Sequence, residues 1–500
     1  MNLRDLEADL QYSDYYQLLF ISLTVGLGSI LRVHTIGFDS FWLDEAITMY
    51  FIHTMSYQEI ITELPKVQPH LPLYYILLKA WTSISGTEEG TVRMLSAAFS
   101  IASIPVLYAL GKRLYGFQVA AIAALMLTVS PFQIYFAQEA RMYSLLAFLT
   151  VASYYCLLRY LTSKQTKEMA LFIISAILLA YTHVFGFFVI TSQLLYLFWG
   201  EWIGTENWRS CIREAGRIAI PVGIGAAPAV GMIAAKVFIP HSYGSGSQVQ
   251  HIPAPPNWHD IISAYTHFTV RYSHPPMSIA VQVGLLIGIG GALFVPSHFL
   301  SRKKSVFLWS WLLIPTGLAV VLSYLIQPIF FPKYLIGCSV ALYLLFARGA
   351  AFIPRPNVRT VLLAIILLNA VALNSFQFTD HQKREFESAA KFVDQGYSPD
   401  DLIIVDKRKS SSPFGYYFDR AGMPTAGDIT GPLRPEIRKQ VRSVDTVWVV
   451  FSSSKQPHRR KVLRVVRRTH DRAAIKHFAG ITAYRFVEDP KHPVRQKTQL

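Results

Sequence analysis

Long apolar stretches separated by short charged punctuation run through the first three quarters of the chain. Each is roughly 17 to 25 residues long, which is what a helix needs to cross a hydrocarbon layer about 30 Å thick. Read this way, the pattern predicts crossings near 17–33, 94–110, 117–136, 143–161, 169–181, 184–200, 217–235, 277–300, 306–326, 335–352 and 360–376, eleven in all. Helices are expected there because a spanning segment must satisfy its own backbone polar groups. The boundary at Tyr181, Thr182 and His183 is the thinnest, since those three residues alone separate two apolar runs.

Beyond residue 376 the pattern changes. An amphipathic stretch at 382–394, an apolar run from Leu402 to Val405 and strand-like runs at 446–451 and 481–487 predict a small α/β unit punctuated by Pro and Gly. The fold class expected is therefore an α-helical polytopic membrane protein with about eleven transmembrane helices and a C-terminal external α/β domain. Residues 1–376 form the membrane part, with a first external loop at 34–93, and 377–500 form the external part in an accessory role.

Composition agrees: 52% of the residues are hydrophobic and 16% charged, which excludes an ordinary soluble domain. Basic residues cluster at Lys112 and Arg113, Lys164 and Lys167, Arg209 to Arg217, Arg302 to Lys304, and Arg355 and Arg359, all in alternate short loops. The positive-inside rule then puts the N-terminus in the cytoplasm and the C-terminal domain outside, in a plasma (inner) membrane. The opening MNLRDLEADL is acidic and polar with no small-residue cleavage site after the first apolar run, so an uncleaved anchor is expected. Residues 377–500 carry 24 Lys and Arg against 14 Asp and Glu, an excess that suits solubility beside an anionic membrane. Nothing in it points to nucleic acid. Cys156, Cys211 and Cys338 lie in or near spans or cytoplasmic loops, so no disulfide supports the tail.

Candidate chemistry concentrates in FDSFWLDEAIT, just past the first span. Asp39 reads as a solvated loop acid. Asp44 and Glu45 sit among Phe41, Trp42, Leu43, Ile47, Met49, Tyr50 and Phe51, and a carboxylate desolvated by aromatics is expected to gain a raised pKa and to serve as a general base. Further along, PKVQPHLPLYYILLKAW reads as a helix lying in the membrane interface, with His70 as a ligand, a phosphate contact or a structural cap. In SPFQIYFAQEARMYSLL a very short turn holds Gln138, Glu139 and Arg141 between apolar runs. Arg141 suits a phosphate, because a guanidinium stays charged when desolvated and donates a planar fork of hydrogen bonds. An ion pair of Arg141 with Glu139 or Asp44 is the other reading. His241, His251, His259, His267 and His274 beside Asp260 show no tight ligand spacing.

Taken in order, WLDEA, PHLPLYY, RMLSAAFSIASIPVLYALGKRLYG, SPFQIYFAQEARMYSLL, YTHVFG and FFPKYL resemble the protein-mannosyltransferase and lipid A aminoarabinose-transferase branch of the GT-C glycosyltransferases, over most of residues 20–400. The resemblance implies transfer, with inversion, of a sugar from a polyprenyl-phosphate donor to a lipid, glycan or protein acceptor on the outer face. It implies Asp44 as the base, Glu45 as its orienting neighbour, Arg141, Lys333 and His70 around the donor phosphate, and Gln138, Glu139, His183 and Tyr334 in support. Two departures stand out, Leu71 where relatives often have proline and Lys333 where they have arginine. No cofactor is implied with certainty, although some relatives use a divalent metal ion at the acidic loop. A polytopic transporter or lipid-linked-sugar flippase is the alternative, disfavoured because Asp44, Glu45, Glu139, Arg141 and Lys333 all fall at one external level instead of at mid-depth.

Overall fold

The structure is a computed structural model that describes residues 3–67, 70–205, 207–238, 254–269, 302–353, 355–379, 383–405, 408–418, 435–452 and 456–489. It divides into two compact units. One comprises Met1–Ile36, Met55–Thr87 and Thr91–Phe378, and the other Gly37–Thr54, Glu88–Gly90 and Thr379–Leu500.

The first unit is helical. Its elements are α1 (Leu3–Val33), then, after α2 (Leu43–Thr54) of the other unit, α3 (Tyr57–Thr62), α4 (Leu64–Val67), α5 (Leu73–Ser85), α6 (Glu89–Tyr115), α7 (Phe117–Val129), α8 (Pro131–Ala137), α9 (Tyr143–Ser163), α10 (Thr166–Thr182), α11 (Val184–Thr205), α12 (Trp208–Phe238), α13 (Trp258–Thr269), α14 (Arg302–Leu325), α15 (Ile336–Phe352) and α16 (Pro356–Thr379). A single 3-10 turn, Pro332–Leu335, leads into α15. Six described helices are long and apolar enough to cross a membrane, or seven when α7 and α8 count as one bent span. The chain is thus a multi-pass membrane protein. The expected span at 277–300 lies outside the described residues, as do His241, His251 and His274.

Exposure follows from lipid being as apolar as a protein core. On α1, Leu18, Leu23 and Ile30 face outward, and on α12 Ile220 and Ile224 do so, whereas the 3-10 turn and α15 together form a span 83% buried within the bundle. The α9–α15 packing is close enough that a Cβ on Gly337 would lie 2.7 Å from the Thr150 hydroxyl.

One expected span is corrected. Residues 117–136 form two helices bent by 55°, because Ser130 adopts an extended conformation, its hydroxyl accepts from the Gln133 N–H, and Pro131 starts a new helix. The carbonyls released at the end of α7 are met by Arg32, which is fully buried and donates to Leu127 O and Thr128 O at 3.0 Å each. A charged side chain thus holds the break that aims α8 at the turn carrying Arg141.

In the second unit, α17 (Phe386–Asp394), β1 (Leu402–Val405), α18 (Arg408–Tyr417), α19 (Pro435–Val441), β2 (Thr446–Phe451), α20 (Gln456–Val466), β3 (His470–Phe478) and β4 (Ile481–Glu488) follow in order. The sheet order is β1-β2-β4-β3, with β1 parallel to β2 and the other pairs antiparallel. Apolar layers cover both faces: Val441, Val462 and Val466 pack on Leu402, Val447 and Phe486, while Phe386, Val393, Phe414 and Phe418 pack on Ile403, Trp448 and Ala483. That two-sided burial is why LIIV of β1 is a continuous apolar run. Strands β1, β2 and β4 fall where the sequence predicts them. β3 was not anticipated, since HDRAAIKHF is an exposed, charged edge, and neither was α20, whose QPHRRKVLRVV buries only one stripe.

The first loop, which the sequence assigns whole to the membrane part, is divided. Residues 37–54, including α2, group with the C-terminal unit. The reason is side-chain packing: Phe41 lies against the rings of Tyr416 and Tyr417 at 5.4 and 6.4 Å, and His53 lies 6.5 Å from Tyr416.

Candidate active site

In the helical unit, one end of the bundle gathers residues from four separate turns. Arg141 follows α8 and is 3% exposed. Its guanidinium donates to the Tyr75 hydroxyl at 3.3 Å, in the first turn of α5, and to His70 Nε2 at 3.0 Å, just before that helix. Because arginine can only donate, His70 accepts there and carries its proton on Nδ1. The backbone of the same turn is held as well, with the Ser96 hydroxyl donating to Arg141 O at 3.2 Å and sharing a hydrogen bond with Tyr74 at 2.8 Å.

Two residues on, Tyr143 opens α9 and joins an aromatic group formed with His183 and Tyr334. Ring centroids are 6.2 Å apart for Tyr143 and Tyr334 and 4.8 Å for His183 and Tyr334. Lys333 places its ammonium 5.4 Å from the Tyr143 ring and 5.5 Å from the Tyr334 ring. His183 occupies the turn between α10 and α11, where burial, and then the charges of Arg141 and Lys333, pull its pKa down to about 3, so it is neutral at ordinary pH. That turn is possible because a Cβ on Gly186 would lie 2.3 Å from the Leu179 carbonyl oxygen. The N-termini of α9, α11 and α15 all open onto this group, and those of α9 and α15 have no side-chain cap. Two cations and three helix N-termini at the end of an apolar bundle make surroundings suited to an anion with several oxygens.

Arg141, His70, Lys333, His183 and Tyr334 are therefore brought together. Gln138 and Glu139 serve the same turn differently. The Gln138 amide donates to the carbonyls of Arg32 at 3.2 Å and His34 at 2.7 Å, tying the turn to the end of α1, and Glu139 is buried at 1% exposure. Tyr75 and Tyr143 are members that sequence reasoning missed, although each stands inside a motif already singled out, three residues after Pro72 in LPLYY and two after Arg141 in ARMYS. Aromatic residues are too common in apolar stretches for that position to single them out.

In the other unit, Asp44 and Glu45 occupy the first turn of α2, where a negative charge complements the helix dipole. They differ sharply in surroundings. Glu45 is fully buried, accepts from the Trp42 N–H at 3.4 Å and forms an ion pair with Lys383 at 3.0 Å. Asp44 is partly exposed, its carbonyl accepting from the Thr48 hydroxyl at 2.8 Å, and Asp39 is likewise partly exposed. The residues before Asp44 are tied down too. Glu387 N–H donates to the Ser40 hydroxyl at 3.2 Å, and Phe41 N–H donates to the Tyr417 hydroxyl at 2.6 Å, which in turn donates to Glu89 at 2.6 Å. Lys383 and Tyr417 had no signal in the sequence, since each lies more than 300 residues from its partner.

No group of three His, Cys, Asp or Glu among the described residues could hold a metal ion. In the first loop the Glu45 carboxylate is engaged by Lys383. His259 and His267 lie on α13, with the His267 ring against Ser263.

Comparison with known proteins places this geometry. Residues 68–217 match the dolichyl-phosphate-mannose-protein mannosyltransferase family. The chain is similar to ArnT from Cupriavidus metallidurans in its apo state, with a TM-score of 0.57 at 11% identity over 95% of this chain and 98% of that one. It is similar to the same protein bound to undecaprenyl phosphate, with a TM-score of 0.56 at 12% identity, covering 96% and 99%. It also resembles the oligosaccharyltransferase AglB from Archaeoglobus fulgidus, solved with an inhibitory peptide and a dolichol-phosphate, with a TM-score of 0.52 at 12% identity, covering 88% and 70%. A search of curated proteins finds no match. The fold is that of the GT-C glycosyltransferases.

Proposed function

We propose that this chain is a membrane glycosyltransferase that moves a sugar from a polyprenyl-phosphate donor to an acceptor on the outer face of the membrane, with inversion at the anomeric carbon. The observation that carries the reading is the assembly of Arg141 and Lys333 around Tyr143, His183 and Tyr334 at one end of an apolar bundle. A lipid phosphate needs both an apolar route for its chain and fixed positive charge for its head. As the anomeric carbon–oxygen bond breaks, the electron pair passes to the phosphate, and donors aimed in advance at that growing charge lower the barrier. Arg141 supplies a planar fork and Lys333 a point charge, so Arg141 is the principal contact. His70, accepting from Arg141, orients it.

Asp44 is the base. The acceptor hydroxyl gives its proton to the Asp44 carboxylate while its oxygen bonds to the anomeric carbon opposite the phosphate, which accounts for inversion without a protein nucleophile. Support for choosing Asp44 over Glu45 comes from burial: Glu45 is fully buried against Lys383, whereas Asp44 is partly exposed and so within reach of an incoming hydroxyl. No step runs through a metal ion. The proposal includes an N-terminus in the cytoplasm and transfer at the external face of a plasma (inner) membrane. Purified protein in lipid, offered a panel of polyprenyl-phosphate sugars and nucleotide sugars, is expected to turn over only the former. Turnover with nucleotide sugars alone overturns the reading.

A further inference from the structure

We infer that Lys383 is a positioning residue for the acidic loop, so that the C-terminal unit is part of the catalytic apparatus and not an accessory. The inference rests on Asp44 as the base. Within six residues, the segment around Asp44 is tied three times to residues 383–417: Ser40 to the Glu387 N–H, Phe41 to Tyr417, and Glu45 to Lys383. Two of these ties precede Asp44 and one follows it immediately, so the aspartate is held between fixed points.

The ion pair is the decisive one. Its side chains are 0% exposed for Glu45 and 6% for Lys383. Buried pairs contribute little net stability compared with apolar residues of the same volume, because desolvation offsets attraction. What such a pair does provide is direction, since the Lys383 ammonium draws the Glu45 carboxylate to one side. That direction is passed to Asp44 through a single peptide unit in the first turn of α2. Losing Lys383 removes that ion pair from a fully buried carboxylate, and α2 shifts to bring the charge toward water. A displacement on the order of 1 Å at a reacting group can reduce a rate about 100-fold.

Four variants test this on the full-length chain in lipid: Lys383→Met, Lys383→Arg, the double variant Glu45→Gln with Lys383→Met, and Asp44→Asn. Lys383→Met is expected to lower kcat for a polyprenyl-phosphate sugar about 10- to 100-fold, with affinity for undecaprenyl phosphate unchanged. Lys383→Arg keeps the pair and is expected to restore most of the rate. The double variant removes both charges and is expected to recover part of it. Backbone amide exchange over residues 39–48 provides a readout free of turnover, and protection there is expected to fall in Lys383→Met and return in the other two. Unchanged exchange and kcat in Lys383→Met overturn the inference. So does a double variant as slow and as unprotected as Lys383→Met, because the damage then does not pass through Glu45. The underlying assignment fails separately: an active Asp44→Asn enzyme removes Asp44 as the base, while the exchange data still decide whether Lys383 holds the loop. Should Lys383→Met not fold, the double variant, which carries no unpaired buried charge, is compared with Lys383→Arg on the same two measurements.

Discussion

At the scale of single residues, neighbouring carboxylates of similar chemistry are separated by their surroundings. Asp44→Asn conserves shape but cannot take a proton from a hydroxyl at neutral pH, and general-base assistance alone is worth about 10²–10⁴ in rate. Transfer is therefore expected to be nearly abolished in a folded protein with intact affinity for undecaprenyl phosphate. Glu45→Gln has a different signature. It takes the ion pair away from a buried Lys383, so loss of stability of about 3–5 kcal/mol accompanies a smaller kinetic defect. Asp39→Asn is the mildest. Measuring melting and turnover side by side for the three variants decides the ordering, and near-normal turnover in Asp44→Asn ends the mechanism. Arg141 is the proposed contact for the donor phosphate: Arg141→Ala removes charge-assisted hydrogen bonds worth about 1.5–3 kcal/mol each, so binding of undecaprenyl phosphate is expected to weaken at least 10-fold. Arg141→Lys recovers only part, since lysine lacks the fork. Normal affinity in a folded Arg141→Ala protein would reassign the phosphate to Lys333 and leave Arg141 a structural role on Tyr75 and His70.

Breaks between helices, more than the helices themselves, place the chemistry. Ser130 and Pro131 turn α7 into α8 and so aim the Arg141 turn, while His183 and Gly186 separate α10 from α11. Gly186→Ala tests the second break. The added methyl would sit 2.3 Å from the Leu179 carbonyl oxygen, a contact with backbone that no rotamer change relieves. A loss of stability of about 1–3 kcal/mol is expected, together with weaker undecaprenyl phosphate binding, because His183 and Tyr334 pack on each other. Unaltered melting and binding would show that the α10–α11 turn opens without moving that group. The same break explains why YTHVFG separates two apolar runs with so few polar residues: sterics at one glycine do what a longer loop does elsewhere.

For the whole molecule, orientation in the membrane is the property on which the reading depends. Basic residues gather in alternate loops, and a reporter fused after residue 376 is expected on the external side, one within 301–305 on the cytoplasmic side. A cytoplasmic reporter after 376 would reverse the face on which transfer occurs. The C-terminal unit carries 24 Lys and Arg against 14 Asp and Glu without this deciding its side, since large domains translocate largely regardless of charge.

What the sequence determined by itself is what depends on neighbours in the chain. Hydrophobic length marked the long helices of the bundle, as in 143–161 against Tyr143–Ser163, because a lipid-facing helix needs apolar residues throughout its own length. Strands β1, β2 and β4 were legible because two-sided burial leaves an unbroken apolar run, whereas β3 and α20, charged and half exposed, left none. His70 and Arg141 could be named because they interrupt apolar segments, where a polar residue is conspicuous, whereas His183, Lys333 and Tyr334 entered only through the resemblance carried by YTHVFG and FFPKYL. Tertiary structure decided which turns meet: Tyr143 and Tyr334 are 191 positions apart in sequence and share one ammonium. It also decided that Glu45 is buried and paired, through a lysine 338 residues away, while Asp44 is partly exposed, and that residues 37–54 pack with the C-terminal unit. Such contacts form only once distant segments fold together, and a pairing between two single residues leaves no periodic trace in the chain from which it could be read.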